Sequence, residues 1–188
     1  MLRRRRRFAP GAPLQGLDVV AGQHPPGHCL PIDPSYLSWR VERTLGQTFR
    51  FVELANDINN HMPDYVVRRL MLALNARGRP LRGSRVLLLG LAYKKNTGDA
   101  RESPAARVAE LLAGLAADVV AADPHVSETG HLDAAITRVE PTAAELARAD
   151  AVVLLTDHDA FDLAEIGEHA SFALPSMAAS WLDGTSSM

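Results

Sequence analysis

The sequence predicts an α/β protein in which a helical module precedes a Rossmann-like parallel sheet. Between residues 35 and 75 apolar side chains recur at three- and four-residue spacing, the period of a helix. Beyond Gly83 short apolar runs alternate with amphipathic stretches, the pattern of a parallel sheet with right-handed crossovers. The segment that separates the two regimes, residues 75–83, carries Gly78, Pro80, Gly83 and three arginines, the turn residues and charge of a linker.

In chain order, Tyr36, Leu37, Trp39, Val41 and Leu45 give a first amphipathic helix that stops at Gly46. Phe51, Leu54, Ala55, Ile58 and Met62 give a second stripe, which Val66, Val67, Leu70 and Leu74 continue. Pro63 starts a new helix or kinks a long one, because it lacks an N–H and fixes φ. After the linker, residues 86–89 form a continuous apolar strand, 104–115 an amphipathic helix and 118–122 a second strand. Residues 136–139 read as a weak third strand, 142–148 as a short helix, 151–155 as a fourth strand and 163–169 as a closing helix.

Composition narrows the class. With 47% apolar and 22% charged residues and a net charge of −2, the chain is globular. No apolar run approaches the ~20 residues that span a bilayer, so no membrane partner is expected. A single cysteine excludes an intramolecular disulfide and suits a reducing, cytoplasmic setting. No metal is expected either: the seven histidines are scattered, and His158, between Asp157 and Asp159, reads as a loop residue. The first 26 residues differ from the rest. Arg3 to Arg7 form a basic run followed by Pro10, Gly11, Pro13 and Gly16, so residues 1–26 read as a disordered or non-native leader. No aromatic residue or second basic cluster supports a nucleic-acid surface, and no apolar core of about 7–15 residues makes an export signal.

Two segments carry chemistry. Residues 27–34 hold the cysteine, Cys29, in a proline-punctuated stretch with Asp33 four residues on. A thiol becomes a nucleophile when its thiolate is accessible and a neighbour manages protons, and Pro31 and Pro34 stiffen the backbone around that carboxylate. Read from the residues alone, Cys29 is a small buried hydrophobe, as most free cysteines are. The second segment, residues 85–104, runs from an apolar strand through Gly90, Tyr93, Lys94, Lys95 and Arg101 to Ser103 and Pro104. Ser103 fits an N-cap and Pro104 a first helical position, so a helix start would add free N–H groups to the two lysines at the carboxyl end of a strand. Without further context Lys94 and Lys95 are a pair of solvated charges.

The second segment resembles, nearly residue for residue, the start of the C-terminal domain of the UDP-glucose/GDP-mannose dehydrogenase family, and Gly27 to Asp33 resembles that family's catalytic loop. Residues 34–39 and 156–161 are most similar to the bacterial branch that oxidises UDP-N-acetyl-hexosamines. The resemblance covers residues 27–170 and implies a fragment of an NAD-dependent 6-dehydrogenase for surface polysaccharide synthesis. In that chemistry the C6 alcohol becomes a carboxylate through a cysteine thioester. It further implies Cys29 as nucleophile and Asp33 as proton handler, Tyr93 and Lys94 as contacts to the nucleotide sugar, and Arg101 as a contact to NAD. The strand–Gly-x-Gly-x-x-Gly–helix cofactor site of the family has no counterpart in this sequence, so a separate NAD-binding half and no turnover by this chain alone are expected. The division expected is a leader (1–26), a cysteine loop with a helical homodimerisation module (27–75), a linker (76–83), a UDP-binding domain truncated at its C-terminus (84–170) and an atypical tail (171–188). A noncatalytic UDP-sugar-binding or dimerisation module is the alternative.

Overall fold

The computed structural model describes residues 17–20, 29–46, 50–101, 103–127, 136–171 and 173–175, with the backbone alone for 17–20, 29–34 and 173–175. Six parallel strands form one sheet in the order β1-β6-β5-β2-β3-β4. These are β1 (Leu17–Val20), β2 (Arg85–Leu89), β3 (Asp118–Ala122), β4 (Thr137–Arg138), β5 (Ala151–Leu154) and β6 (Ala173–Pro175). The helices are α1 (Cys29–Leu45), α2 (Arg50–Asn60), α3 (Met62–Asn75), α4 (Pro104–Gly114), α5 (Ala143–Arg148) and α6 (Leu163–His169).

Strand β2 lies between β3 and β5, with Val86 to Leu89 in register with Val119 to Ala122 and with Ala151 to Leu154. Both faces of these central strands are covered, so they read as continuous apolar runs rather than as alternating ones. Side chains nonetheless divide by parity. Val86, Leu88, Val119, Ala121 and Val153 meet α3 and α4 on one face, whereas Leu87, Leu89, Val120, Val152 and Leu154 meet α5 and α6 on the other. Leu87, Leu88 and Leu89 have no exposed surface.

Helix α3 departs from the domain division expected of the sequence. Val66, Val67, Leu70 and Leu74 are buried in the same cluster as α4 and β2, which makes α3 a layer of the α/β core rather than of a separate helical module. A helical stripe states that a helix buries a face, not against which partner. The stripe of α1 and α2 has the opposite fate: Tyr36, Trp39, Phe51, Leu54 and Ile58 are all exposed, Phe51 by 78%.

Three boundaries also differ. Cys29 to Pro34 is the start of α1, not a loop. Proline fits the first turn, whose N–H groups have no intrahelical acceptor, and Pro34 removes one bond further in. Within the expected leader, Leu17–Val20 forms a strand paired with β6, in keeping with its two valines. Within the expected atypical tail, Ala173–Pro175 forms β6 beside β5. Ser171 apart, the remaining leader and tail residues, with Gly27 and His28, lie outside the described residues.

Candidate functional site

The site is built at the carboxyl ends of β2, β3 and β5, where open α/β sheets bind ligands. Strand β2 ends at Gly90, whose φ of 83° lies in the left-handed region. A Cβ there would stand 2.3 Å from the Thr156 carbonyl oxygen, so glycine is required for the loops after β2 and β5 to touch. Thr156 Oγ1 donates to the Ala92 carbonyl at 2.8 Å and closes the same contact from the side chain.

Asp123, immediately after β3, ties the strand ends together. Its Oδ2 accepts from the N–H groups of Leu91 (2.6 Å) and Ala92 (2.9 Å), and its Oδ1 from those of His125 (2.8 Å) and Val126 (2.9 Å). Burial by itself pushes this carboxyl up, but the four backbone donors outweigh burial and hold it below its usual 3.8. Arg138 Nη2, from β4, donates to the carbonyls of Asp123 and Val126 at 2.9 Å and fixes the same turn.

His158, in the loop after β5, supplies the third tie. Its side chain and that of Asp123 are both fully buried, and its Nε2 lies 3.1 Å from Asp123 Oδ2. Its Nδ1 accepts the Asn96 N–H at 2.8 Å, which leaves the ring proton on Nε2, facing the carboxylate. Asn96 stands at φ 58°, a conformation that asparagine tolerates better than most residues. Its side chain donates to Asp159 Oδ2 at 2.7 Å and accepts from the Asp159 N–H at 3.0 Å.

The residues singled out in the sequence fall around this knot. Tyr93 is buried, and its N–H donates to the Asp99 carbonyl at 2.8 Å. Lys94 is half-buried on the same loop, and its ammonium has no partner among the described residues. Lys95, by contrast, is held by Asp159 at 2.6 Å, which raises its pKa. Arg101 closes the loop, exposed and paired with Asp99 through Nε (2.9 Å) and Nη2 (2.7 Å). Ser103 caps α4, its Oγ accepting from the Ala105 N–H at 3.2 Å, and Pro104 begins the helix. Asn59, Met62, Tyr93, Ser103 and Thr156 line a cleft between α3 and this loop. The backbones of Cys29 and Asp33 lie in the first turns of α1, and their side chains lie outside the described residues.

Sequence reasoning missed Asp123 and, while it placed His158 in a loop, missed that the ring is buried against that carboxylate. The Asp123–Pro124 pair at a strand end signals a turn, but nothing local signals that its carboxylate meets a histidine 35 positions on.

Residues 87–179 match the family described as the UDP-glucose/GDP-mannose dehydrogenase family, UDP binding domain. That span runs past the boundary at 170 expected from the sequence and takes in β6. The chain is 34% identical over 139 residues to a UDP-N-acetyl-D-mannosamine dehydrogenase of Methanococcus maripaludis, covering 72% of this chain and 29% of that protein. It is 33% identical over 138 residues to an NDP-N-acetyl-D-galactosaminuronic acid dehydrogenase of Ralstonia nicotianae, covering 72% and 30%. Among solved structures it superimposes on a UDP-glucose dehydrogenase from Pyrobaculum islandicum with a TM-score of 0.64 at 28% identity, covering 85% of this chain and 38% of that one. A UDP-D-ManNAc dehydrogenase from Pyrococcus horikoshii gives 0.62 at 29% identity, covering 84% and 34%. The chain thus spans about a third of the length of the proteins it resembles.

Proposed function

Since this chain belongs, through residues 87–179, to the UDP-glucose/GDP-mannose dehydrogenase family, we propose that it provides the UDP-binding part of an NAD-dependent UDP-N-acetyl-hexosamine 6-dehydrogenase. The observation that carries the reading is Lys94: a cation without a partner among the described residues, on a loop that is fixed from three strand ends and leads towards α4. Such a group suits a diphosphate, and Tyr93 beside it offers an aromatic edge to the rest of the nucleotide sugar.

In this proposal Cys29 adds to the C6 aldehyde as a thiohemiacetal, loss of a hydride to NAD would leave the thioester, and Asp33 handles the protons of its hydrolysis. The turn after β2 offers no dinucleotide-binding N–H groups to NAD. The Leu91 and Ala92 N–H groups, which a dinucleotide turn would aim at a pyrophosphate, both donate to Asp123. Arg101 alone remains as a peripheral contact to NAD, since its guanidinium is exposed and can trade its ion pair with Asp99 for a phosphate at little cost. Turnover therefore requires a cofactor-binding half beyond these residues.

The homodimer belongs to the same proposal. The exposed apolar side chains of α1 and α2 are continuous enough to need a cover, and a second copy of the helical pair would supply one. Among the described residues no helix is long and apolar enough to cross a membrane. A cytoplasmic enzyme supplying sugar acids for polysaccharide fits this reading.

Calorimetry with UDP and UDP-N-acetylglucosamine tests the binding claim, and NADH formation tests turnover. Binding without turnover is expected of this chain. Absence of UDP binding overturns the proposal, and robust NAD reduction overturns the assignment of the cofactor elsewhere. When residues 27–179 are joined to the cofactor half of a relative, Cys29→Ala should abolish activity and Asp33→Asn should lower it sharply. Binding that persists while the joined enzyme stays inactive favours a noncatalytic UDP-sugar-binding module instead.

A further inference from the structure

We propose that His158 is a positioning residue for Tyr93 and Lys94, acting as a two-sided strut between Asp123 and the backbone of Asn96. The inference rests on the reading above that the loop carrying Tyr93 and Lys94 meets a nucleotide diphosphate.

The loop after β2 has two anchors. Near its start, Leu91 and Ala92 are tied to Asp123. Two residues beyond Lys94, the Asn96 N–H is tied to His158. Between these anchors Tyr93 and Lys94 have little freedom to move. The second anchor is transmitted, since the imidazole that accepts from Asn96 is itself held by Asp123 on its opposite nitrogen. One carboxylate therefore orients both ends of the segment, directly at one end and through a neutral histidine at the other.

Packing fixes the ring in the same pose. The His158 ring lies 4.8 Å from that of His125 and 5.6 Å, edge to face, from that of Phe161. Gly98 closes the loop against the His125 carbonyl, where a Cβ would stand 2.6 Å away. The charged groups around the strut are Asp123 from the β3 end, Asp157 and Asp159 from the loop after β5, and Lys95 from the loop it supports. A neutral imidazole with the proton on Nε2 is the form that satisfies both its neighbours, donating to the carboxylate and accepting from the amide.

The two halves of the strut can be cut separately. In His158→Asn the side-chain oxygen stands near the former Nδ1 and keeps an acceptor for Asn96. In His158→Gln the side-chain amide reaches towards Asp123 but leaves the Asn96 N–H without its acceptor. The experiment follows the tautomer of His158 by nitrogen NMR in the unaltered chain, then hydrogen exchange of the Asn96 amide and UDP affinity in both variants.

The expected tautomer carries the proton on Nε2. Asn96 exchange should rise about tenfold in His158→Gln, with exchange at Leu88 and Val153 unchanged, and by a smaller, about threefold, step in His158→Asn, which keeps the acceptor but loses the tie to Asp123. UDP dissociation constants should follow the same order, about tenfold weaker in the glutamine variant. A proton on Nδ1 would overturn the proposal without recourse to any variant. So would Asn96 exchange that is equal in the two variants, or exchange that rises while UDP affinity stays at the parent value. A parent chain that binds no UDP would overturn the nucleotide reading instead, and the tautomer and exchange comparisons would still decide whether His158 holds the loop.

Discussion

The two ends of the sheet are both rich in polar contacts but use them differently. At the amino end, Arg85 on β2 pairs with Glu145 of α5 and Asp118 of β3, and its N–H donates to Asp150 at 2.9 Å, while Arg79 pairs with Asp150 as well. Every charge named there has an opposite partner, and much of the network faces water. At the carboxyl end the ties are buried, run mostly to backbone N–H groups, and leave Lys94 uncommitted. The first end consumes its charge in holding strands together. The second uses neutral donors to hold a loop and keeps a cation available.

Gly90→Ala should break the carboxyl end most severely. The added methyl group meets the Thr156 backbone at 2.3 to 2.7 Å, in a conformation that already disfavours alanine, and neither strand can give way without losing its partners. A loss of about 4 kcal/mol or failure to fold is expected, read from urea unfolding.

Asp123→Asn should come next, at about 3 kcal/mol, because an amide cannot accept from four N–H groups as two carboxylate oxygens do. It also has a pH signature. The folded Asp123 titrates below its ordinary 3.8, so the folded state binds fewer protons than the unfolded one between the two values. Its contribution is complete above the unfolded value and is lost as pH falls through the folded one. The urea midpoint of the parent should drop steeply in that acid window, and the asparagine variant should flatten the drop. Asp159, lowered by its hydrogen bonds to Lys95 and Asn96, keeps some slope in place.

Arg85→Ala, at the amino end, should cost only about 1 kcal/mol once solvent screening of a partly exposed guanidinium is counted. The loss should shrink in 1 M salt, where charges are screened within about 3 Å. A salt-insensitive loss larger than that of Asp123→Asn would invert the contrast between the two ends.

What could be read in the sequence follows the range of the interactions. Strands β2 and β3 and helices α4 and α6 were legible because apolar period, and Ser103 with Pro104 at the start of α4, act within a few residues. The loop of Tyr93 and Lys94 was legible because strand, glycine, lysines and helix start are contiguous. The place of α3 in the core was not, since the stripe of Val66, Leu70 and Leu74 would look the same against any partner. Nor was the strut: its members, Asp123, His158 and Asn96, come from three loops and meet only once the sheet has aligned β2, β3 and β5.

The smallest expected effect separates two adjacent lysines. Lys95 is exposed and already paired with Asp159, with Asp157 at 3.9 Å, so Lys95→Ala should leave the unfolding midpoint unresolved from the parent and weaken UDP by no more than about threefold. Lys94 has no such partner among the described residues, so Lys94→Ala should weaken UDP about tenfold, also without a change in stability. The pair serves as an internal control, since both changes remove one positive charge from the same loop and alter its long-range field almost equally. If the two variants lose affinity to the same extent, the loop attracts UDP by net charge alone. The distinction between a spent and an available cation would then fail.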